Sequence, residues 1–248
     1  MDNNIFILTF LALICGSVGS VLFASLLLLL KTELLHKISF YLLYLAGGTL
    51  LGAAFLGMIP EALSTLSIKT SMRLLVAGIC CFFILEKIIL WHTCRNKNCE
   101  RQINTAAPMI LIGDAFHNAI DGVVIAASFL TSTEMGVFVT LSVIFHEIPQ
   151  EMGDFGILLR SGLSTKKALL YNVLSGSTAI IAGITAFFFM QQMQIIIPYI
   201  LLLSASSFIY IAMAELIPEM HKKSKAGESF AQILLILTGI LIIYLIKQ

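Results

Sequence analysis

Apolar residues occur in this chain as eight long runs that short polar connections separate. Each run reaches about 20 mostly apolar residues, the length that an α-helix needs to cross the hydrocarbon core of a bilayer. We therefore predict an all-α membrane protein with eight transmembrane helices in a single transmembrane domain over residues 1–248. The predicted spans are about residues 5–30, 37–66, 72–91, 108–130, 135–160, 167–190, 196–220 and 229–246.

The composition agrees with a membrane protein. Hydrophobic residues make up 58% of the chain and charged residues only 12%, whereas soluble domains carry about 25% charged residues. The Lys and Arg residues form no basic stripe, which excludes a nucleic-acid-binding face. The first apolar run follows Asp2 without a basic stretch before it, so we expect a transmembrane helix there and not a cleaved signal peptide.

Lys and Arg residues are concentrated in alternate connections between the predicted spans. Eleven of the 15 lie in the four connections on one side and three lie on the other, with Lys87 inside a span left out of the count. Because Lys and Arg are enriched in cytoplasmic loops, we expect both termini on the non-cytoplasmic side. The protein would then be a multi-pass protein of the plasma or inner membrane.

The tripeptide Ile-Pro-Glu occurs twice, at residues 59–61 and 217–219, late in the second and seventh predicted spans. Each of these spans is the second in a group of three, and two spans lie between the groups. The copies therefore have opposite orientations in the membrane, which is typical of transporters built from inverted repeats. We predict a 3+2+3 arrangement, with spans 1–3 and 6–8 as the repeats around spans 4–5. The alternative is two unrelated proline kinks.

Acidic residues are unusually frequent inside the predicted spans. Nine of the 14 lie there, and Lys87 is the one basic residue that we place within the bilayer. A charged side chain at the bilayer centre costs roughly 2.5–3.5 kcal/mol, so these carboxylates must take up protons or bind cations. The excess predicts a pathway for cations. The nine residues are Glu61, Glu86, Asp114, Asp121, Glu147, Glu151, Asp154, Glu215 and Glu219.

The fourth predicted span places its polar residues on one helical stripe. Asp114, His117 and Asp121 are spaced i, i+3 and i+7, and Asn118 lies beside them. Imidazole, carboxylate and amide groups on one face form a ligand set that suits Zn²⁺, with Fe²⁺, Mn²⁺ and Co²⁺ as alternatives. No thiolate belongs to the set, which argues against Cu⁺.

The fifth predicted span carries a matching set. His146 with Gln150 and Glu147 with Glu151 form two i, i+4 pairs. Pro149 lies among them and cannot donate a backbone hydrogen bond to the preceding turn. Exposed backbone at membrane depth is tolerated where it lines a cavity, so we favour a cavity at Pro149 over a kink that only shapes helix packing.

The two clusters together resemble the signatures of the ZIP (Zrt/Irt-like) divalent-metal transporter family. The matching stretches are H-N-A-I-D-G at residues 117–122 and H-E-I-P-Q-E-M-G-D-F at residues 146–155. They are similar to the branch of the family whose fifth helix reads H-E-x-P-H-E. The resemblance implies eight spans, both termini outside the cytoplasm, and a binuclear metal centre on the fourth and fifth helices.

The resemblance also implies a ligand set. One metal ion would bind His117, Asp121, His146 and Gln150, and a second would bind Asn118, Asp121 and Glu147, with Asp121 bridging the two. Glu151 is a further candidate, which we expect to support the ligands from the second coordination shell. Gln150 departs from the branch, which has histidine there, and a neutral amide is a weaker ligand than imidazole.

We therefore expect a secondary transporter and not an enzyme. The resemblance implies movement of Zn²⁺, or of Fe²⁺ or Mn²⁺, into the cytoplasm, with the metal as cargo and no resident cofactor. The alternatives are a metal-selective channel and an intramembrane zinc hydrolase, although the H-E-x-x-H motif of a metalloprotease lacks its second histidine at Gln150. The expected partners are metal ions and membrane lipid, with a homodimer as an option. A loop with His92, Cys94 and Cys99 could capture delivered zinc.

Overall fold

The computed structural model describes residues 3–93, 103–221 and 226–246, and the regular elements among them are all helical. The predicted all-α class is thereby confirmed. We number the helical stretches α1 to α8 in chain order. They are α1 (3–27), α2 (32–63), α3 (Ile68–Thr93), α4 (Ile103–Thr131), α5 (Thr133–Arg160), α6 (Thr165–Gln192), α7 (Gln194–His221) and α8 (Ala226–Ile246).

Six of these stretches, α1, α2, α3, α6, α7 and α8, are long and apolar enough to cross a membrane. The protein is therefore an integral, multi-pass membrane protein. The other two, α4 and α5, have 29 and 28 residues, also long enough to span a bilayer. They carry the polar clusters that lower their hydropathy. Eight spans in a 3+2+3 arrangement within one domain stay a prediction.

All eight helical stretches begin before their predicted spans, and three of them do so by four or five residues. Helix α2 begins at residue 32 and not 37, α3 begins at Ile68 and not 72, and α4 begins at Ile103 and not 108. Apolar runs mark only the part of a helix that suits the hydrocarbon core of a bilayer, whereas backbone hydrogen bonding continues into polar flanks. Pro108 consequently lies inside α4 and not at its start.

Wider π-helical turns interrupt the two helices that carry the repeated tripeptide. In α2 the π turn Ala53–Met58 directly precedes Ile-Pro-Glu, and in α7 the π turn Ala212–Leu216 directly precedes the second copy. A proline cannot donate to the turn before it, and an extra residue in that turn is one way for a helix to absorb the mismatch. The two copies therefore share a backbone irregularity as well as a sequence.

The helix pairs with extensive contacts occur in matched sets. Helix α3 packs on α7, and α8 packs on α2; α6 packs on α4, and α1 packs on α5. If α1–α3 correspond to α6–α8 and α4 corresponds to α5, each of these pairs maps onto the other member of its set. This pattern is what an inverted repeat would produce, and it supports the predicted arrangement.

Helices α4 and α6 approach each other closely. A Cβ atom on Gly122 would lie 2.0 Å from the carbonyl oxygen of Ala179, so only glycine fits there. Nearer the beginning of both helices, the Thr178 hydroxyl donates to the carbonyl of Ala115 at 2.6 Å, and the Ser175 hydroxyl donates to that of Leu111 at 3.1 Å. Small residues permit such close packing of membrane helices, and here they hold α4 in place beside α5.

Candidate metal centre

Four potential ligands from α4 and α5 meet at the centre of the molecule. His117 and Asp121 lie one turn apart on α4, and His146 and Glu147 are neighbours on α5. One ligand atom from each lies within 4.8 Å of those of the other three. We call these four residues the imidazole group. His146, Asp121 and Glu147 are buried, and the His117 side chain is partly exposed.

The distances within the imidazole group suit a small metal ion. The Nε2 atoms of His117 and His146 are 3.3 Å apart. Nε2 of His146 lies 3.1 Å from Oδ2 of Asp121, and Nε2 of His117 lies 3.3 Å from Oε1 of Glu147. Zinc bonds of 2.0–2.1 Å in a tetrahedron give ligand–ligand distances of about 3.3–3.4 Å. The four side chains could therefore surround one Zn²⁺ without large movement.

The His146 ring is oriented for metal binding. Its Nδ1 atom lies 2.8 Å from the carbonyl oxygen of Ser142, and a carbonyl only accepts hydrogen bonds, so Nδ1 carries the proton. The lone pair is then on Nε2, which faces the other ligands. The Phe208 ring of α7 packs against the imidazole in a T-shaped arrangement, with a centroid distance of 5.8 Å. Backbone and aromatic contacts together fix the ligand.

A second set of carboxylates lies beside the imidazole group. Ligand oxygens of Asp114, Glu147 and Glu151 lie within 4.8 Å of one another, and the three residues are 4%, 1% and 1% exposed. We call these three residues the carboxylate group. Glu147 belongs to both groups, so the two sets are continuous.

Buried oxygens in both groups have no hydrogen-bond partner among the described residues. These atoms are Oδ2 of Asp114 and both carboxylate oxygens of Asp121, Glu147 and Glu151. Burying a carboxylate is costly unless a proton or a cation accompanies it. The shortest contacts of the set are to imidazole nitrogens, which are themselves metal ligands. The arrangement is therefore suited to binding cations.

The two amides of the predicted ligand set face Asp114. The Asn118 side-chain amide donates to Oδ1 of Asp114 at 2.9 Å, and the Gln150 amide donates to the same atom at 3.5 Å. The structure thus places Asn118 and Gln150 beside the carboxylate group, while Glu147 takes a place next to His117. Asp114 was absent from the predicted ligands, although its spacing of four from Asn118 and seven from Asp121 could have indicated it.

A cavity of about 200 Å³ opens beside the imidazole group. His146, Pro149 and Gln150 of α5 line one side, and Glu219 with apolar residues of α2 and α7 lines the other. Pro149 lies within continuous α-helix and on the cavity wall, as predicted from its position. The cavity connects one face of the metal ligands with the end of α7 that carries the second Ile-Pro-Glu.

Other candidates from the sequence lie elsewhere. Asp154 is half-buried on α5 and belongs to neither group. Glu86 accepts a hydrogen bond from the Tyr210 hydroxyl, which ties α3 to α7. The predicted capture loop of Cys94 and Cys99, with the side chain of His92, lies outside the described residues.

Comparison with known proteins gives consistent matches. A family described as ZIP Zinc transporter matches residues 92–247, which include both polar clusters. The chain is 38% identical over 145 residues to zinc transporter foi of Drosophila melanogaster and 35% identical over 152 residues to human zinc transporter ZIP6. It is 38% identical over 126 residues to metal cation symporter ZIP14 of Xenopus tropicalis.

The aligned part is a fraction of each relative. The matches cover 58%, 58% and 51% of this chain but only 20%, 20% and 27% of foi, ZIP6 and ZIP14, respectively. The chain therefore corresponds to about a fifth to a quarter of the length of these proteins.

Proposed function

The chain belongs to the ZIP zinc transporter family, and from that premise we propose that it carries divalent metal ions, Zn²⁺ first, across a membrane into the cytoplasm. Members of this family are transporters and not enzymes, so an intramembrane hydrolase is not favoured. Fe²⁺ and Mn²⁺ remain alternative cargoes in the proposal, because carboxylates contribute as many ligands as imidazoles do.

The observation that carries the proposal is the buried imidazole group. Two imidazoles and two carboxylates from α4 and α5 face each other at 3.1–3.9 Å. Their contacts leave buried oxygens without hydrogen-bond partners among the described residues. In a helix pair surrounded by apolar spans, a divalent cation would satisfy this set better than any side chain near it.

We propose two metal positions along α4 and α5. The family resemblance assigns the second ion to Asn118, Asp121 and Glu147, with Asp121 bridging. The short distance between Glu147 and His117 supports a place for Glu147 at the first position as well. Gln150, which faces both Asp114 and the cavity, would act at the boundary between the two positions.

Transport requires the ion to shed water, bind, and leave on the other side. The ligand side chains must be deprotonated to bind it and can regain protons when it leaves. The cavity extends from His146 towards Glu219, near the end of α7 that the Lys and Arg count assigns to the cytoplasm. This direction supports release inwards. Alternating access would come from movement of one repeat against the other.

Metal uptake into proteoliposomes tests the proposal. We expect saturable Zn²⁺ uptake in which Fe²⁺, Mn²⁺ and Cd²⁺ compete, and acceleration by metal on the opposite side, which a channel would not give. His117→Ala removes one imidazole and should lower Zn²⁺ uptake by at least about tenfold, the lower end of the loss for a disturbed metal site. His221→Ala, at an exposed position on α7, is the matched control.

Two results would contradict parts of the proposal. Zn²⁺ uptake that is equal in His117→Ala and His221→Ala would remove the imidazole group from the pathway. Uptake that does not saturate and shows no acceleration by counter-flux would replace the carrier with a channel through the same ligands.

A further inference from the structure

The side chain of Ser142 links α5 to α2. Its hydroxyl lies 3.2 Å from the carbonyl oxygen of Thr49 on α2 and 2.9 Å from that of Phe138 in its own helix. Both Ser142 and Thr49 are fully buried. A helical serine commonly donates to the carbonyl one turn back, as Ser128 does to Val124 on α4. Ser142 makes that bond and also reaches a second helix.

The carbonyl of Thr49 lies where α2 departs from regular α-helix. The π turn begins at Ala53, whose N–H is divided between the carbonyl oxygens of Thr49 and Leu50. The Thr49 carbonyl therefore has only part of its usual helical donor. A buried carbonyl needs a donor, and a bilayer supplies no water to provide one. The hydroxyl of Ser142 completes this carbonyl at the point where the helix widens.

Phe138 gives α5 a second contact with the same π turn. It lies one turn before Ser142 and is 1% exposed. A Cβ atom on Gly57, within the π turn, would clash with the Phe138 ring, so the ring packs directly against the backbone there. Two contacts one turn apart fix both the height and the rotation of α5 relative to the π turn of α2.

The backbone of Ser142 also orients a metal ligand. Its carbonyl oxygen accepts the hydrogen bond from Nδ1 of His146 at 2.8 Å, one turn further along α5. The direction of the imidazole therefore depends on the rotation of α5 at Ser142. That rotation depends in turn on α2, so one residue connects the π turn with the imidazole group.

We propose that Ser142 is a positioning residue for His146 and that its hydroxyl couples the π turn of α2 to the metal centre. The inference rests on the proposed function, because such coupling matters in a carrier whose helix groups move against each other. Coupling between two places is reciprocal. The present form of the π turn favours a His146 that is ready to bind metal, and a bound ion favours the present form of the turn.

Ser142→Ala in the purified full chain tests this role. It removes the hydroxyl but keeps the backbone carbonyl that accepts from His146. We expect Zn²⁺ binding, measured by calorimetry, to weaken about threefold to tenfold, the range for one buried hydrogen bond. The absorption spectrum of bound Co²⁺, which reports ligand geometry, should change as well. Ser142→Thr keeps a hydroxyl and should restore both properties.

Ser128→Ala is the matched control. It removes an equally buried hydroxyl whose hydrogen bond stays within α4, and it should bind Zn²⁺ as the wild type does. Hydrogen exchange at residues 53–58 reports the other end of the coupling. Zn²⁺ should slow exchange there in the wild type and in Ser128→Ala, and much less in Ser142→Ala.

The proposal fails if Ser142→Ala and Ser128→Ala bind Zn²⁺ equally and give the same Co²⁺ spectrum, even where Ser142→Ala melts at a lower temperature. If Ser142→Thr does not fold, the exchange measurement decides, and equal Zn²⁺-dependent slowing in the two alanine variants refutes the coupling. Wild-type protein that binds Zn²⁺ and shows the coupling, but gives no metal flux, would refute the proposed function and leave the role of Ser142 standing. Wild-type protein that binds no Zn²⁺ would refute both.

Discussion

The helix pair α4–α5 and the helix pair α2–α7 differ in how regular their backbones are. Helices α4 and α5 remain α-helical through their polar clusters, and the groups that could bind metal on them are side chains. We call these two helices the regular pair. Helices α2 and α7 are mostly apolar, but each contains a π turn, Ala53–Met58 in α2 and Ala212–Leu216 in α7. Regular helix keeps ligands at fixed i, i+3 and i+4 spacing, whereas irregular helix provides a place to bend.

The two irregular helices also differ from each other. Glu219, in the second copy of Ile-Pro-Glu, lines the cavity beside His146 and Gln150, whereas Glu61 in the first copy is not among its lining residues. Helix α7 also places Phe208 against the His146 ring. The same local sequence therefore occurs with the same backbone irregularity in two surroundings, and the copy in α7 lines the cavity beside the metal ligands.

The largest effect is expected from disturbing the contact between α4 and α6, which supports the regular pair. In Gly122→Ala the new Cβ would lie 2.0 Å from the Ala179 carbonyl oxygen, so α4 and α6 must separate. Overpacking of this kind costs about 1–3 kcal/mol, and we expect a lower melting temperature in detergent together with loss of metal binding.

Gly113→Ala is the matched control for this substitution. It makes the same change on the same helix, where a Cβ would meet nothing within 4 Å. Alanine is favoured over glycine in a helix by about 1 kcal/mol, so Gly113→Ala should melt at the same or a higher temperature. Equal melting temperatures for the two variants would mean that the α4–α6 contact does not position the ligands.

A smaller effect is expected from straightening α2 or α7, the two helices with π turns. Pro218→Ala restores a backbone donor at an exposed position of α7 and favours a regular helix. If this preference raises the activation free energy of the conformational step of transport by about 1.4 kcal/mol, uptake slows about tenfold. Pro60→Ala makes the identical change at the exposed equivalent in α2, away from the cavity, and should slow uptake less. Larger slowing in Pro60→Ala than in Pro218→Ala, in the same proteoliposome assay, would reverse the comparison.

Much of the fold follows from the sequence because lipid imposes a simple constraint. Runs of about 20 apolar residues favour spanning helices, so the helical stretches and their order were predictable, whereas their 3+2+3 arrangement stays a prediction. Their ends were less predictable, as at Ile103, because hydropathy does not register helix that continues into polar flanks. The π turns in α2 and α7 were not predicted, although the prolines that follow them marked their places.

The polar faces of α4 and α5 were predictable from the sequence, but the contacts between side chains of the two helices were not. Helical spacing alone put His117 and Asp121 on one face of α4, and it paired His146 with Gln150 and Glu147 with Glu151 on α5. It did not give the relative register of the two helices, which decides that Glu147 faces His117 and that Gln150 reaches Asp114. Register depends on contacts with other helices, such as the close approach of α6 at Gly122; the α4 motif contains this glycine but does not identify the helix that it contacts.

The smallest effect is expected at Gln150, where the regular pair meets the cavity. Its amide donates to Oδ1 of Asp114, and its side chain lines the cavity with His146. Gln150→His adds an imidazole at this boundary, and because imidazole favours Zn²⁺ over Mn²⁺, we expect the ratio of Zn²⁺ to Mn²⁺ uptake to rise a few-fold with little change in total flux. Competition between the two ions in proteoliposomes measures this ratio. An unchanged ratio would mean that Gln150 acts only through Asp114 and never contacts the transported ion, which would confine metal selection to the imidazole and carboxylate groups.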